Sequence, residues 1–579
     1  MKFWYNPNFL ALFFLVILSI PALKSLAASG FYTSHDGETH TARIAQYYVA
    51  VRDGQIPPRF ADSFYNGLGS PIFVYIYPLP YLLGSFIHFL GFSFTDSFEI
   101  LMAFGFIFSA IFAYFWLKVV FKSEKAAFLG ALFYVWVPYR FLLIYVRASL
   151  SENLAYTFLP LCLFCLTKLN KQKTIRWTAL SAISIALLLL SQNLVALMGI
   201  FTLVGYFLIT VFWGKSLRYL ILGVFSFGWG FLIASVTYLP VIFERGFVRL
   251  SEIIKVAYPD HFVTLKQLIR SPWGYGFDFP GTFNDQLSFQ LGLAHLLVLV
   301  IFLILFLKNV YKLFFLKQRV KRSHLGILII ASFFLIVFTF SILLMTNTPL
   351  TIYIWQKIKP LQIIDIPWRF LGITVLSLSF ISAFVAKYVK SGLLFLMFVA
   401  LVLVANRNHL RINQSVDFKD DHFLNYTGTA TQYNEFTPIW RQSTRVPIGF
   451  DPSVKTQEIS GQFNIDNLLV KSNEISFNVD VSSTNAQVRI NKFYFPGWSM
   501  IVDSQKLQPF KDFIIINPAS LHLEKEQDSS GLMLVNLDRG KHRVFVKFQE
   551  TPLRLLANYF TVGFLILALG GVVIRRANK

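Results

Sequence analysis

The sequence predicts a polytopic α-helical membrane protein with one β-rich domain outside the membrane, inserted before its last helix. Three observations predict it. Mean hydropathy is +0.57 with 14% charged residues, which excludes an ordinary soluble globular chain. Apolar runs of the roughly 20 residues needed to cross a bilayer recur along the chain. Ahead of the last run lies a long polar stretch whose later part alternates apolar and polar residues as strands do.

Apolar runs near 9–28, 99–119, 126–146, 151–167, 177–192, 194–213, 219–240, 289–307, 325–345, 370–386, 391–405 and 553–574 give about twelve transmembrane helices. The first is expected to be a retained span, broken only by Pro21 and Lys24; the small residues of "LAASG" offer cleavage as a signal peptide as the alternative. A further run, 72–91, contains Pro78, Pro80 and three tyrosines, and reads as an interfacial or re-entrant segment.

The basic residues orient the chain. If 72–91 does not cross, then Lys2, Lys118, Lys122, Lys125, Lys168, Lys171, Lys173, Arg176, Lys215 and Arg218 lie inside. So do Lys308, Lys312, Lys317, Arg319, Lys321, Arg322, Lys387, Lys390, Arg575, Arg576 and Lys579, against the single acid Glu124. If it crossed, every later loop would flip. Both termini are therefore expected in the cytoplasm, in a multi-pass protein of the plasma membrane. The net charge of +22 becomes a topology signal, so the partner it points to is the lipid bilayer and no nucleic acid is expected.

The long polar loops 29–98, 241–288, 346–369 and 406–552 then all face outward. Residues 1–405 are expected to form the transmembrane domain with its outer loop. Residues 406–552 follow as an extracytoplasmic domain, and 553–579 as the last helix with a basic cytoplasmic tail. "NRNHLRINQ", 406–414, is the candidate linker. Strands are expected at 475–482, 486–495, 531–537 and 542–549, separated by turns at "DSQK" (503–506) and "DRGK" (538–541), as in a β-sandwich. No Ser/His/Asp constellation is evident there, so a binding or scaffolding module is the preferred reading. Cys162 and Cys165 are read as small apolar residues of one helix, and no disulfide framework is expected.

Most charges gather on the outer face, and five stretches could carry chemistry there. In "TSHDGETHTAR", 33–43, Asp36 suits a helix N-cap and Glu38 a first turn. That reading leaves His35 and His40 unexplained. A divalent metal on His35, Asp36, Glu38 and His40 is open, although the spacing fits no strong ligand pattern, and no other cofactor is implied. In "IPPRFADSFYNGLGSP", Arg59 on a rigid loop suits a phosphate, and the glycines read as a turn. Arg140, Arg147 and Glu152, where the third and fourth spans join, sit at or just below the outer surface; Arg140 is expected to snorkel, and the other two to form an ion pair or a substrate contact. The loop 271–292, with Trp273, Tyr275, Asp278 and Asp285, has the aromatic and polar mix of a sugar-binding surface, or of an interfacial belt. "PLQIIDIPWRFLG" places Asp365, Trp368 and Arg369 at the mouth of the tenth span.

The motifs "GQIPPRFADSFYNGLGSPIFVYIYPLPYL", "YVRASLSENLA", "SPWGYG…SFQLGL", "IPWRFLG", "YNEFTPIW", "FYFPGW" and "TPLR" resemble bacterial membrane proteins labelled 6-pyruvoyl-tetrahydropterin synthase-related, relatives of the YfhO-type proteins. Pterin chemistry has no echo in the residues. That family is similar to the GT-C superfamily of polytopic glycosyltransferases, which implies a GT-C-like membrane fold. It also implies transfer, with inversion, of a sugar from a polyprenyl-phosphate donor to an envelope glycan, lipid or protein acceptor. The resemblance implies Asp36 as catalytic acid/base and Glu38 as second carboxylate. Arg59, Arg147 and Arg369 would hold the phosphate, and Glu152, Trp273, Tyr275, Asp278 and Trp368 would contact substrate. A histidine is expected where Gln192 stands. The alternative is a non-catalytic transporter or assembly factor for lipid-linked envelope glycans.

Overall fold

The computed structural model describes residues 7–250, 258–279, 284–316, 321–428, 431, 434–441, 451, 454–507, 513–515 and 531–573. Lys2, Lys317, Arg319, Arg575, Arg576 and Lys579, used above for orientation, lie outside these.

Among the described residues, nine helices are long and apolar enough to cross a membrane: Pro7–Ala27, Phe94–Phe121, Leu150–Gln172, Asn193–Gly214, Leu293–Phe314, Arg322–Met345, Pro367–Tyr388, Gly392–His409 and Pro552–Val573. Two bent pairs raise the number to eleven. Glu124–Val135 with Pro138–Val146 turns by 49°, and Leu217–Ile233 with Ser235–Phe247 by 75°. The expected span 177–192 is the shorter helix Ile175–Leu189. Every apolar run read as a span is thus helical, and the protein is a polytopic membrane protein. Residues 72–91 form two short helices, Ile72–Tyr75 and Leu79–Phe89. At 1.5 Å per residue neither approaches the roughly 30 Å hydrocarbon thickness.

Two helices occupy the middle of the bundle. Leu150–Gln172 and Leu371–Tyr388 are buried along nearly their whole length, whereas Pro552–Val573 is largely exposed, as a lipid-facing helix would be. The central pair packs closely because Gly372 leaves room for the Tyr156 ring; a Cβ there would lie about 2 Å from it. Both helices begin at the same end of the bundle, which brings Glu152 and Arg369 together. Arg140 does not snorkel. It is fully buried, donates to Ser109 Oγ and Asn153 Oδ1, both at 2.8 Å, and lies over the Tyr134 and Tyr156 rings. The 49° bend just before it turns the side chain into the bundle.

Among the described residues the sheet has seven antiparallel strands: β3 (Thr456–Ser460), β4 (Phe463–Lys471), β5 (Glu474–Phe493), β6 (Trp498–Val502), β7 (Gln505–Leu507), β8 (Phe513–Ile515) and β9 (Leu532–Phe548). A separate two-stranded ladder pairs β1 (Phe31–Tyr32) with β2 (Ser415–Val416), tying the segment after the first helix to the start of the polar domain. The turn at 503–506 is confirmed: Asp503 and Ser504 both have positive φ, as a tight hairpin requires. The turn expected at 538–541 is not a turn. β9 runs through it without interruption, and β5 likewise replaces two expected strands. The pairing register slips between Val481 and Asn485, and each half of β5 takes a different second partner, β4 or β3. Two long shared strands therefore serve both halves of a sandwich-like sheet.

The sheet is seamed to the first polar loop. Fully buried Lys492 donates to the carboxylate of Asp62 and to Gly67 O at 2.9 Å, and Lys455 also donates to Gly67 O. Arg59 bridges Glu550 Oε1, Val236 O and Asn558 Oδ1, each at 2.8 Å, while Arg554 pairs with Glu244 at 2.8 Å. Gly497, at φ 123°, lets its backbone close on Gln549 O, which a Cβ would meet at 2.7 Å. The motifs "FYFPGW" and "TPLR" thus build this seam.

A candidate active site at one end of the bundle

Asp36 immediately precedes the helix Gly37–Arg52, yet its side chain makes no capping hydrogen bond. The backbone explains where it goes. The N–H groups of His35 and Asp36 donate to Val146 O and Arg147 O at 3.0 and 2.8 Å, which docks this helix start on the chain leaving the first bent pair. The Asp36 carboxylate consequently meets Arg147 Nη2 at 3.2 Å.

From Arg147 a chain of ion pairs runs into the bundle. Arg147 Nη1 donates to Glu152 Oε1 at 2.7 Å, and Arg369 Nε donates to the same oxygen at 3.2 Å. Arg369 Nη1 pairs with Asp365, and the Tyr139 hydroxyl donates to Glu152 Oε2 at 3.3 Å. Glu152 is 1% exposed, so both guanidinium groups are anchored on a carboxylate sealed from water. Asp36 and Asp365, at 38% and 33% side-chain exposure, are the open ends. Burial alone would lower the Arg147 pKa, but the Glu152 and Asp36 carboxylates outweigh it and hold the guanidinium charged.

Trp368 lies against this chain, with the Arg147 guanidinium 5.2 Å from its ring centroid. Its indole N–H donates to Asp278 Oδ2 at 2.8 Å, and His261 Nδ1 reaches the same oxygen at 2.7 Å. Burial would raise the Asp278 carboxyl, but these two hydrogen bonds outweigh it and hold it below the ordinary value. His261, Asp278, Asp285, Phe289 and Trp368 help border a shallow surface recess.

The structure thus brings together Asp36, Arg147, Glu152, Trp368, Arg369 and Asp278. Tyr275 joins them through its backbone, where its carbonyl lies 3.1 Å from His35 Nε2; its hydroxyl donates to Arg411 O. Other candidates are placed elsewhere. Arg59 is fully engaged in the seam, because the loop that carries it turns inward. Trp273 packs on His409 with ring centroids 4.4 Å apart. Glu38 pairs with His422 Nε2 at 2.7 Å and faces away from Asp36.

His35, Asp36, Glu38 and His40 do not converge on a metal. Glu38 and His40 lie about 200° apart on the helix Gly37–Arg52, while His35 and Asp36 precede it, and each finds a different partner. The His35 ring stacks on Phe277, and His40 Nδ1 lies 3.1 Å from the Tyr81 hydroxyl. Burial lowers the pKa of both imidazoles. Among the described residues, no group of three or more His, Cys, Asp or Glu is placed to hold a metal ion. Gln192, where a histidine was expected, accepts from Val195 N–H at 2.5 Å and caps the following helix. Tyr139 and His261 were not singled out from the sequence, and nothing in their local spacing marks them.

No family model matches this chain and no curated protein matches it, so the YfhO-type likeness rests on its motifs alone. Among solved structures it is similar to the arabinofuranosyltransferase AftD from mycobacteria, at 12% identity and TM-score 0.41 over 70% of this chain and 26% of that one. It is also similar to the Archaeoglobus fulgidus oligosaccharyltransferase in the apo form, at 12% and 0.38 over 74% and 57%. The same comparison holds for the A. fulgidus oligosaccharyltransferase AglB in complex with an inhibitory peptide and a dolichol-phosphate, at 12% and 0.36 over 74% and 56%. The chain spans about a quarter of the first structure's length and under three-fifths of the other two.

Proposed function

We propose that this protein is a GT-C-type membrane glycosyltransferase that moves a sugar from a polyprenyl-phosphate donor to an acceptor hydroxyl on the extracytoplasmic face. The observation that carries the reading is Asp36. It is a half-exposed carboxylate, placed where a helix cap would be yet not used as one, and tethered to a buried chain of ion pairs. A carboxylate held at this point, open on one side and beside the Arg147 guanidinium, is positioned to take a proton at a membrane surface once its partner releases it.

In the proposed reaction the acceptor oxygen attacks the anomeric carbon while its proton passes to Asp36. The bond from that carbon to the phosphate oxygen breaks, and the electron pair leaves with the polyprenyl phosphate. One displacement inverts the anomeric centre. Phosphate is a good leaving group, so a single carboxylate suffices and Glu38 is not required. Arg147 and Arg369 stabilise the departing charge, with Glu152 fixing both. Trp368 and Asp278 face the sugar. Arg59 holds the seam and is not assigned to phosphate.

The test is transfer from radiolabelled polyprenyl-phosphate sugars in proteoliposomes, comparing wild type with Asp36→Asn. Loss of a general base is expected to lower turnover by about 10²–10⁴-fold. Absence of transfer by the wild type with every donor would overturn the enzyme in favour of a transporter or assembly factor. Undiminished transfer by the variant would overturn only the role of Asp36.

A further inference from the structure

The charge chain sets three carboxylates, Asp36, Glu152 and Asp365, against two guanidinium groups, Arg147 and Arg369. Each arginine is already paired twice with carboxylate, so an incoming phosphate finds no vacant cation. Both terminal nitrogens of Arg147 already face carboxylates, so a phosphate that grips this guanidinium with two oxygens takes a place that a carboxylate now holds. Glu152 cannot give way, because it is buried and bound by both arginines and by Tyr139. Asp36 can. It is the more exposed partner of Arg147 and its contact is the longer, 3.2 Å against 2.7 Å.

We infer that a phosphate-bearing ligand, of the prenyl-phosphate class, binds this site by displacing Asp36 from Arg147. The exchange has a chemical consequence that rests on the function proposed above. While Asp36 is paired to Arg147, one carboxylate oxygen is occupied by the guanidinium and the group is a poor proton acceptor. The arriving phosphate takes over that N–H and leaves Asp36 free beside the anomeric carbon. Donor binding itself thereby arms the base, and water meets an unarmed site when no donor is present. Arg147 becomes the exchange point and Glu152 a positioning residue that keeps both guanidinium groups in place while their outer partners change.

The exchange predicts a result opposite to that expected of a residue that merely helps binding. Asp36→Asn removes the competing carboxylate and should bind phosphate ligand more tightly, although it cannot turn over. Binding of a short-chain prenyl phosphate to the full chain in detergent is measured by calorimetry, with inorganic phosphate and the matching prenol as parallel probes. Asp36→Asn is expected to tighten prenyl-phosphate binding about three- to tenfold, given that a half-exposed ion pair is a modest competitor. Asp365→Asn makes the same charge change at the other open end and serves as the comparison; its effect should be at least about threefold smaller. Arg147→Gln should abolish the gain when combined with Asp36→Asn, and Arg147→Met, equally neutral, provides the same arm should the glutamine variant fail to fold. Tightening by inorganic phosphate in equal measure would assign the site to the phosphate alone, and preference for the prenyl form would assign it to a lipid headgroup; both support exchange. Equal or weaker binding by Asp36→Asn overturns it, as does an equal gain from Asp365→Asn. Because the readout is binding, its failure is separable from failure of sugar transfer.

Discussion

Replacing Glu152 by glutamine tests whether the buried carboxylate holds the site together. Glutamine is nearly isosteric, and its carbonyl can take the place of Oε1 while its amide donates to the Tyr139 hydroxyl. The geometry survives and the charge does not. Hydrogen bonds to a charged acceptor are worth about 1.5–3 kcal/mol against about 0.5–1.5 for neutral ones. Two such bonds converge on Oε1, from Arg147 and Arg369. The expected loss is therefore about 2–3 kcal/mol. Glu152→Ala, which strands two buried guanidinium groups, should cost about 3–5 kcal/mol. The protein supplies its own probe, since Cys162 and Cys165 are both buried in the helix Leu150–Gln172, whose first turn carries Glu152. A thiol-reactive fluorophore labels them only on unfolding, so denaturation of purified protein in detergent reads stability directly. A Glu152→Gln variant within about 0.5 kcal/mol of wild type would refute the reasoning, because a surface-like substitution behaves that way.

Arg140 should respond in the opposite sense: it has no carboxylate partner, and its Nε and Nη1 are buried without hydrogen bonds. Arg140→Met is expected to leave stability within about 1 kcal/mol or to raise it, in the same labelling assay. His40 gives a pH prediction. Burial lowers its pKa well below the ordinary value near 6.5, so below that pH the unfolded chain binds a proton that the folded chain refuses. Stability should fall as pH drops below about 6.5, and His40→Gln, which keeps a polar contact to Tyr81, should flatten that fall in denaturation curves taken from pH 7 to 5.

Much of the architecture was legible because apolar length and charge asymmetry are local signals. The run 72–91 was set apart from the spans for that reason, since prolines and tyrosines mark it and crossing would have inverted every later loop, and it forms two short helices. The long strands β5 and β9 were missed as single elements because Asp538–Lys541 has turn composition, and only pairing across the sheet overrides it. At the site, Arg147, Glu152, Trp368 and Arg369 stood out as charges and aromatics at span ends. Which of them meet depends on which helices are central, and no spacing rule gives that. Arg59 illustrates the failure. A guanidinium on a proline-rich loop is as apt for a carboxylate as for a phosphate, and its partner, Glu550, lies almost 500 positions away in the chain. Asp36 shows the converse, since its cap position was foreseen and its actual partner was not.

The seam between the first polar loop and the sheet also constrains how the chain is made. Asp62 emerges early, but Lys455 and Lys492 arrive only after about 400 further residues, and the Arg59 partners Glu550 and Asn558 come later still. Until then the loop carries charges shaped for partners that do not yet exist. Closing contacts of such separation is slow, so Arg59 and Glu244 wait through most of synthesis before the last helix supplies Asn558 and Arg554. A chain that stops short of that helix would hold every residue of the charge chain and still leave Arg59 and Glu244 without Asn558 and Arg554. The seam of this protein is thus closed by its last-made residues, and the earliest loop depends on the latest helix for its partners.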